Sequence, residues 1–159
     1  MKKPGLKFTT TTMAFLMGAI GLTLGTQTSI EARDAKAARR ALACIQRTQM
    51  PRIRQGTKHR FINMWIVPMN KRLFARSYTG GRGWYTAFLK NKRGAILCGG
   101  VVYKVHGVIP RDKKAIGRKL NAAYLKKYNN DSTERYYAKR LNTTGAMSRT
   151  LEFIVVGKR

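Results

Sequence analysis

The sequence predicts an α+β domain in which about six antiparallel strands curl into a small barrel with helices packed on it, preceded by a signal peptide. Three observations carry this expectation. Apolar runs come in pairs joined by short turns, as in hairpins, and segments of helical period lie between the pairs. Strands this apolar would expose unpaired edges unless the sheet closed on itself. The first thirty residues have the three-part layout of an export signal.

That layout begins with Lys2, Lys3 and Lys7 and continues in the uncharged run Met13 to Gly25. The following TQTSIEA turns polar and offers Ala32 to a signal peptidase, with Ala37 as a second option. The run is shorter than the roughly 20 apolar residues of a membrane span. Residues 1–32 are therefore read as the signal peptide and 33–159 as one domain, exported to the periplasm or beyond and without a transmembrane segment.

The elements follow in order. Asp34 caps a helix reaching about Gln49, with Ala38, Ala41, Leu42 and Ile45 on one face, and Pro51 stops it. Met50 to Arg60 reads as a basic loop. Phe61 to Val67 is apolar on both faces and predicts a buried strand. After a turn over Pro68 to Lys71, the segment from Arg72 to Tyr78 returns as its hairpin partner. The glycine-rich TGGRG (79–83) opens a short helix from Trp84 to Asn91, with Phe88 and Leu89 inward. A second hairpin pairs the segment from Ala95 to Cys98 with that from Val101 to Val108 around Gly99 and Gly100. Alternation there sets Val101, Tyr103 and Val105 on one face and Lys104 and His106 on the other. Pro110 and Asp112 start the longest helix, which turns Ile116, Leu120, Ala123, Tyr124 and Leu125 to the core. A shorter helix over Asp131 to Leu141 and a last strand over Thr150 to Val156 complete the chain.

Charge is the dominant compositional signal. The formal net charge is +27, and removal of Met1 to Ala32 takes away three lysines and Glu31, which leaves +25. Such a surface attracts polyanions, among them nucleic acid and anionic envelope surfaces. The basic residues recur along the whole chain instead of forming one block, the pattern of a solvated surface rather than a groove. Two cysteines, Cys44 and Cys98, allow a single pairing, which export permits. Their places on a helix and a strand favour two buried free thiols.

Catalytic constellations are scarce. After processing, the acids are Asp34, Asp112, Asp131, Glu134 and Glu152; the aspartates sit where helix caps are expected, and Glu152 faces outward on a strand. No pair of carboxylates is held together as acid–base work requires. His59 and His106 have no nucleophile motif beside them, and no Cys/His cluster suggests a metal. The most suggestive stretch is Arg76 to Leu89, RSYTGGRGWYTAFL. Its glycine loop leads into a helix N-terminus, Arg76 and Arg82 bracket the loop, Ser77 and Thr79 add hydroxyls, and Trp84 and Tyr85 supply flat apolar surface. That set suits a phosphate joined to an aromatic ring, as in a flavin nucleotide. It equally suits a plain strand-to-helix turn with Trp84 and Tyr85 as core anchors.

The stretch Met64 to Met69, the long run Arg76 to Val105, LNAAYLKKY at 120–128 and TLEFIV at 150–155 resemble, in order, the bacterial family catalogued as domain of unknown function 2255. That family in turn resembles the flavin- and deazaflavin-binding split barrels. The resemblance implies a split β-barrel, often dimeric, with Arg76, Ser77, Gly80, Gly81, Trp84 and Tyr85 lining a site for FMN or a deazaflavin, and an oxidoreductase type of activity. Two departures stand out: Gly83 replaces the proline that often precedes the Trp-Tyr pair, and only Arg54, Gly56, Thr57 and Lys58 remain of a glycine-rich Arg-Lys-Ser-Gly segment. The alternative reading is a non-enzymatic, strongly basic exported protein that uses the same scaffold to bind polyanions.

Overall fold

The computed structural model describes residues 24–78 and 83–158. It is an α+β domain whose seven strands form one antiparallel sheet curled into a half-barrel. Helix α1 spans Leu24–Arg47; β1 is Arg52–Gln55, β2 Ile62–Asn63, β3 Ile66–Met69 and β4 Arg72–Arg76. Then come α2 (Trp84–Lys90), the β5 (Arg93–Cys98) and β6 (Val101–Val108) hairpin, α3 (Lys113–Lys127), α4 (Ser132–Arg140), α5 (Thr144–Ser148) and β7 (Thr150–Lys158). The sheet order is β2-β1-β5-β6-β7-β4-β3, so the last strand closes the middle of the sheet between the two hairpins.

Alternation divides the buried residues into two cores. On β4, Leu73 and Ala75 face inward, where Ile53, Ile96, Tyr103, Val105, Phe88, Phe153 and the Ala41 and Ile45 face of α1 meet them. Phe74, with Val67 opposite it on β3, faces the other way onto Ile116, Leu120, Tyr124 and Tyr128 of the α3 region and Ala138 of α4. Helices thus cover the outer face of the β3–β4 end of the sheet. Glycine is required at Gly94 and Gly107, where a methyl group would stand 2.4 Å and 2.6 Å from the Phe88 ring.

Several elements differ from the sequence expectation. Helix α1 does not begin at Asp34: its described part begins at Leu24 and passes through Asp34. Residues 1–23 of the expected signal peptide lie outside the described residues. The expected basic loop contains β1, in which Ile53 alone turns into the core while Arg52 and Arg54 face out. The single strand expected over Phe61 to Val67 is broken at Met64–Trp65, and the two tyrosines of α3 and its C-cap repair the break. Tyr124 Oη donates to the Trp65 carbonyl at 3.2 Å, and Tyr128 Oη bonds both the amide and the carbonyl of Ile66 at 2.9 Å. Backbone groups at a buried strand edge must find such partners. In α2, Tyr85 takes the inward place expected for Leu89, which is half-exposed. Leu125 also stands at the surface instead of in the core.

The acids are structural as well. Asp131 caps α4, accepting from Glu134 N at 2.7 Å. Asp112, at the start of α3, makes no side-chain cap and instead meets Glu152 on one guanidinium: Arg72 donates to Asp112 at 2.7 and 3.0 Å and to Glu152 at 2.9 and 2.6 Å. Two carboxylates are thus brought together, but a fixed cation lies between them. The hydrogen bond from Arg72 holds the Asp112 carboxyl below its ordinary range. That is the opposite of the raised pKa a general acid needs.

The cysteines correct the expectation of free thiols: Cys44 and Cys98 form a disulfide that joins α1 to the end of β5. The hydroxyl of Thr48, one helical turn beyond Cys44, lies 3.2 Å from Cys98 Sγ. Lys127 adds a second tie. Its ammonium donates to the carbonyls of Ile45 and Ile66 at 2.6 and 2.7 Å and so joins α3 to both α1 and β3. No helix among the described residues is long and apolar enough to cross a membrane.

Candidate functional site

Two concavities hold the residues that chemistry could use. The larger, of about 670 Å³, lies against β1, β5 and β6 at the turn that follows β1. Its wall is built by register: Arg54 stands opposite Ala95, and Ala95 opposite Lys104. Two pairs further along, on the same face, Arg93 stands opposite His106. The turn is made at Gly56, whose φ of 62° suits glycine and whose amide donates to the Arg93 carbonyl at 2.8 Å. The turn brings Lys58 and His59 over the same cleft. Six cationic or imidazole side chains therefore share one concavity, and no carboxylate lines it among the described residues.

The electrostatics of this cleft are uncompensated. The Arg54 guanidinium lies over the Phe61 ring, 4.7 Å from its centroid, and its buried Nε has no hydrogen-bond partner among the described residues. A buried donor left unpaired is costly and marks a place where an acceptor would be welcome. Partial burial, then the charges of Lys92 and Arg93, push the His106 imidazolium below its ordinary pKa. The dispersed charges of the sequence thus converge here into a groove. Lys104 and His106 were legible as an outward face, but Arg54 was hidden in what reads as a loop.

The smaller cavity, of about 250 Å³, is lined by Trp65, Tyr78, Trp84 and Tyr137 together with Arg76 and Ser77. Trp65 and Tyr137 meet edge-on at 5.4 Å, and Tyr78 lies 5.9 Å from Tyr137. The backbone of Ser77 is held by Arg149, whose carbonyl accepts from Ser77 N at 3.1 Å and whose Nε donates to the Ser77 carbonyl at 3.0 Å. Its hydroxyl is buried and has no partner among the described residues.

Three of the six residues expected at a cofactor site, Arg76, Ser77 and Trp84, therefore line one cavity. Tyr85 is packed in the inner core. Gly80 and Gly81 lie outside the described residues, as do Thr79 and Arg82. Arg76 is committed internally. Following Phe74 in alternation, it points toward α3 and α4. There Nη1 donates to Asn121 Oδ1 at 2.6 Å, the Leu141 carbonyl at 3.0 Å and Asn142 Oδ1 at 3.1 Å. Nη2 reaches the Gly117 carbonyl at 3.2 Å and Nε the Thr150 hydroxyl at 3.3 Å. Sequence reasoning missed Trp65 and Tyr137 as cavity walls, because only the packing of α4 beside the broken strand brings them together.

Known proteins place the fold but attach no activity to it. A search of the curated proteins finds no match. Among solved structures, the conserved hypothetical protein Rv2991 from Mycobacterium tuberculosis is similar over 76% of this chain and 80% of that one, with a TM-score of 0.50 and 11% identity. At that identity the likeness concerns the fold alone. The family model described as an uncharacterized protein conserved in bacteria matches residues 45–153, from the last turns of α1 into β7. That span holds the whole lining of the smaller cavity and all but Val156 of the larger, and the chain accordingly belongs to that bacterial family, DUF2255.

Proposed function

We propose that this is an exported, non-enzymatic binding protein that takes the phosphate groups of a polyanion into the basic cleft on β1, β5 and β6. The observation that carries the reading is the gathering of Arg54, Lys58, His59, Arg93, Lys104 and His106 in one concavity without a lining carboxylate, one of them with a buried, unpartnered Nε. Guanidinium groups are well suited to phosphate oxygens. Export is supported by the N-terminal charge and apolar run, and by a disulfide of the kind that persists outside reducing compartments. Processing at Ala32 would also retain every described buried residue of α1, the first of which is Ala37.

The test is a titration with inorganic polyphosphate at several salt concentrations. Affinity is expected to fall about tenfold or more as salt rises from about 50 to 200 mM, since condensed counterions are released on binding. The double change Arg54→Glu with Lys104→Glu is expected to weaken binding by about 100-fold at the lower salt, with unfolding curves close to those of the unaltered protein. Binding that ignores salt, or survives the double reversal, sinks the reading.

A flavin-type cofactor is the second reading, and the unpartnered Ser77 hydroxyl beside Trp84 is what favours it. The cavity of about 250 Å³ is below the usual range for enclosing a whole ligand of that size, so it would hold a ring edge, with the remainder of the nucleotide outside it. Ser77 would bond the ring, Trp84 would flank it, and the cofactor when bound would supply redox chemistry. Saturable, salt-insensitive FMN or deazaflavin binding, lost in Trp84→Ala, would establish this reading over the first.

A further inference from the structure

We propose that the basic cleft is proton-gated, with His106 acting as the element that strengthens anion binding as the pH falls. The inference rests on the anion-binding reading and adds its regulation. Four of the six polar groups that define the cleft, Arg54, Lys58, Arg93 and Lys104, carry fixed charge across the accessible pH range. His106 is the imidazole of the cleft whose protonation its neighbours shift.

The surroundings of His106 set the sign. On β5 the opposed residue is Arg93, with Lys92 before it. Lys104 precedes it on the same face of β6, and Arg54, Lys58 and His59 face the same cleft from β1 and its turn. On β7 the opposed residue is Ile154. Glu152, opposite Val108 one same-face position away, is the nearest acid in register, and its carboxylate is taken by Arg72. In the free cleft His106 therefore meets cations with no free carboxylate to offset them, and its protonated form is disfavoured. An anion seated among these groups reverses that balance, so the bound state holds the proton more tightly than the free state. By linkage, affinity rises as pH falls through the bound-state pKa of His106 and levels off below its free-state pKa. A protein outside the cytoplasm meets pH values that the cell does not buffer, so such a site would load in acid and release near neutrality.

The probe must not titrate itself. A phosphate monoester takes up its second proton near pH 6, so its own charge falls as the cleft's rises. Pyrene tetrasulfonate keeps its charge throughout, and its fluorescence can report binding to the purified protein. Its affinity is expected to rise about tenfold between about pH 7.5 and about pH 5 at low salt, as the His106 imidazole becomes charged beside it. His106→Gln is expected to reduce the ratio of its own affinities at the two pH values to about threefold or less. A wild-type affinity that changes by less than about twofold over this range overturns the gate and leaves anion binding standing. An undiminished pH effect in His106→Gln also overturns it. Absence of probe binding at every pH overturns the anion-binding reading, and the gate with it.

Discussion

Arg76→Met is expected to destabilise the domain by about 3–5 kcal/mol in urea unfolding, more than a typical substitution. Arg76 is 2% exposed and has no carboxylate partner among the described residues. Its charge is carried by neutral acceptors: the side-chain oxygens of Asn121 and Asn142, the carbonyls of Gly117 and Leu141, and the Thr150 hydroxyl. The Tyr124 ring faces it at 5.5 Å. Methionine of similar length fills much of the volume but leaves these acceptors buried and unpaired, each at a cost of about 1–3 kcal/mol where water cannot replace the donor. Arg76→Lys should recover little, because a single ammonium cannot serve acceptors spread over β7, α3 and the α4–α5 link. A loss of less than about 1 kcal/mol in Arg76→Met would show that water or rearranged asparagines satisfy the site. The expected size of the effect also matters for cofactor tests: loss of ligand binding in an Arg76 variant would report loss of the fold.

How much of this was legible in the sequence depended on whether a segment's surroundings were local. The β5–β6 hairpin was, because Gly99 and Gly100 supply the two positive-φ positions of a tight turn and Tyr103 and Val105 alternate with Lys104 and His106. So was α3, whose Ile116, Leu120 and Tyr124 repeat at helical spacing. By contrast, β1 was not. Only Ile53 in RIRQ faces the core, and a strand with one open face and arginines on it is hard to tell from a basic loop. The break between β2 and β3 was equally hidden, since its repair comes from tyrosine hydroxyls some sixty residues away. The candidate site divides the same way. Ser77 and Trp84 were found from a contiguous motif, whereas the cleft needs β1 beside the β5–β6 hairpin, a pairing that no local pattern specifies. Arg76 was found for a plausible chemical reason and is used for another, because alternation after Phe74 turns it under α3.

Replacing Cys44 and Cys98 together with alanine, or reducing the disulfide, is expected to lower stability by about 4 kcal/mol. The two residues are 54 apart in sequence, and cross-linking a loop of that length removes close to this amount of free energy from the unfolded chain. The position of the bridge decides what is lost first. Cys44 lies in the last turns of α1 and Cys98 at the end of β5, next to the turn at Gly99. Without the bridge, the C-terminal end of α1 is held by the packing of Ala41 and Ile45 and by the Lys127 ammonium on the Ile45 carbonyl. Hydrogen exchange of α1 amides should therefore accelerate more than that of β6 or β7, which keep their neighbours on both sides. Reductant is the matching control: it should move the unaltered protein to the midpoint of the double variant and leave the variant where it is. If reductant moves the midpoint by less than about 1 kcal/mol, the bridge adds little to stability. Its support for an oxidising destination would then weaken with it. A full shift would mean that a chain kept in a reducing compartment lacks about 4 kcal/mol that a chain in an oxidising one has, on the scale of the whole stability of a domain this size.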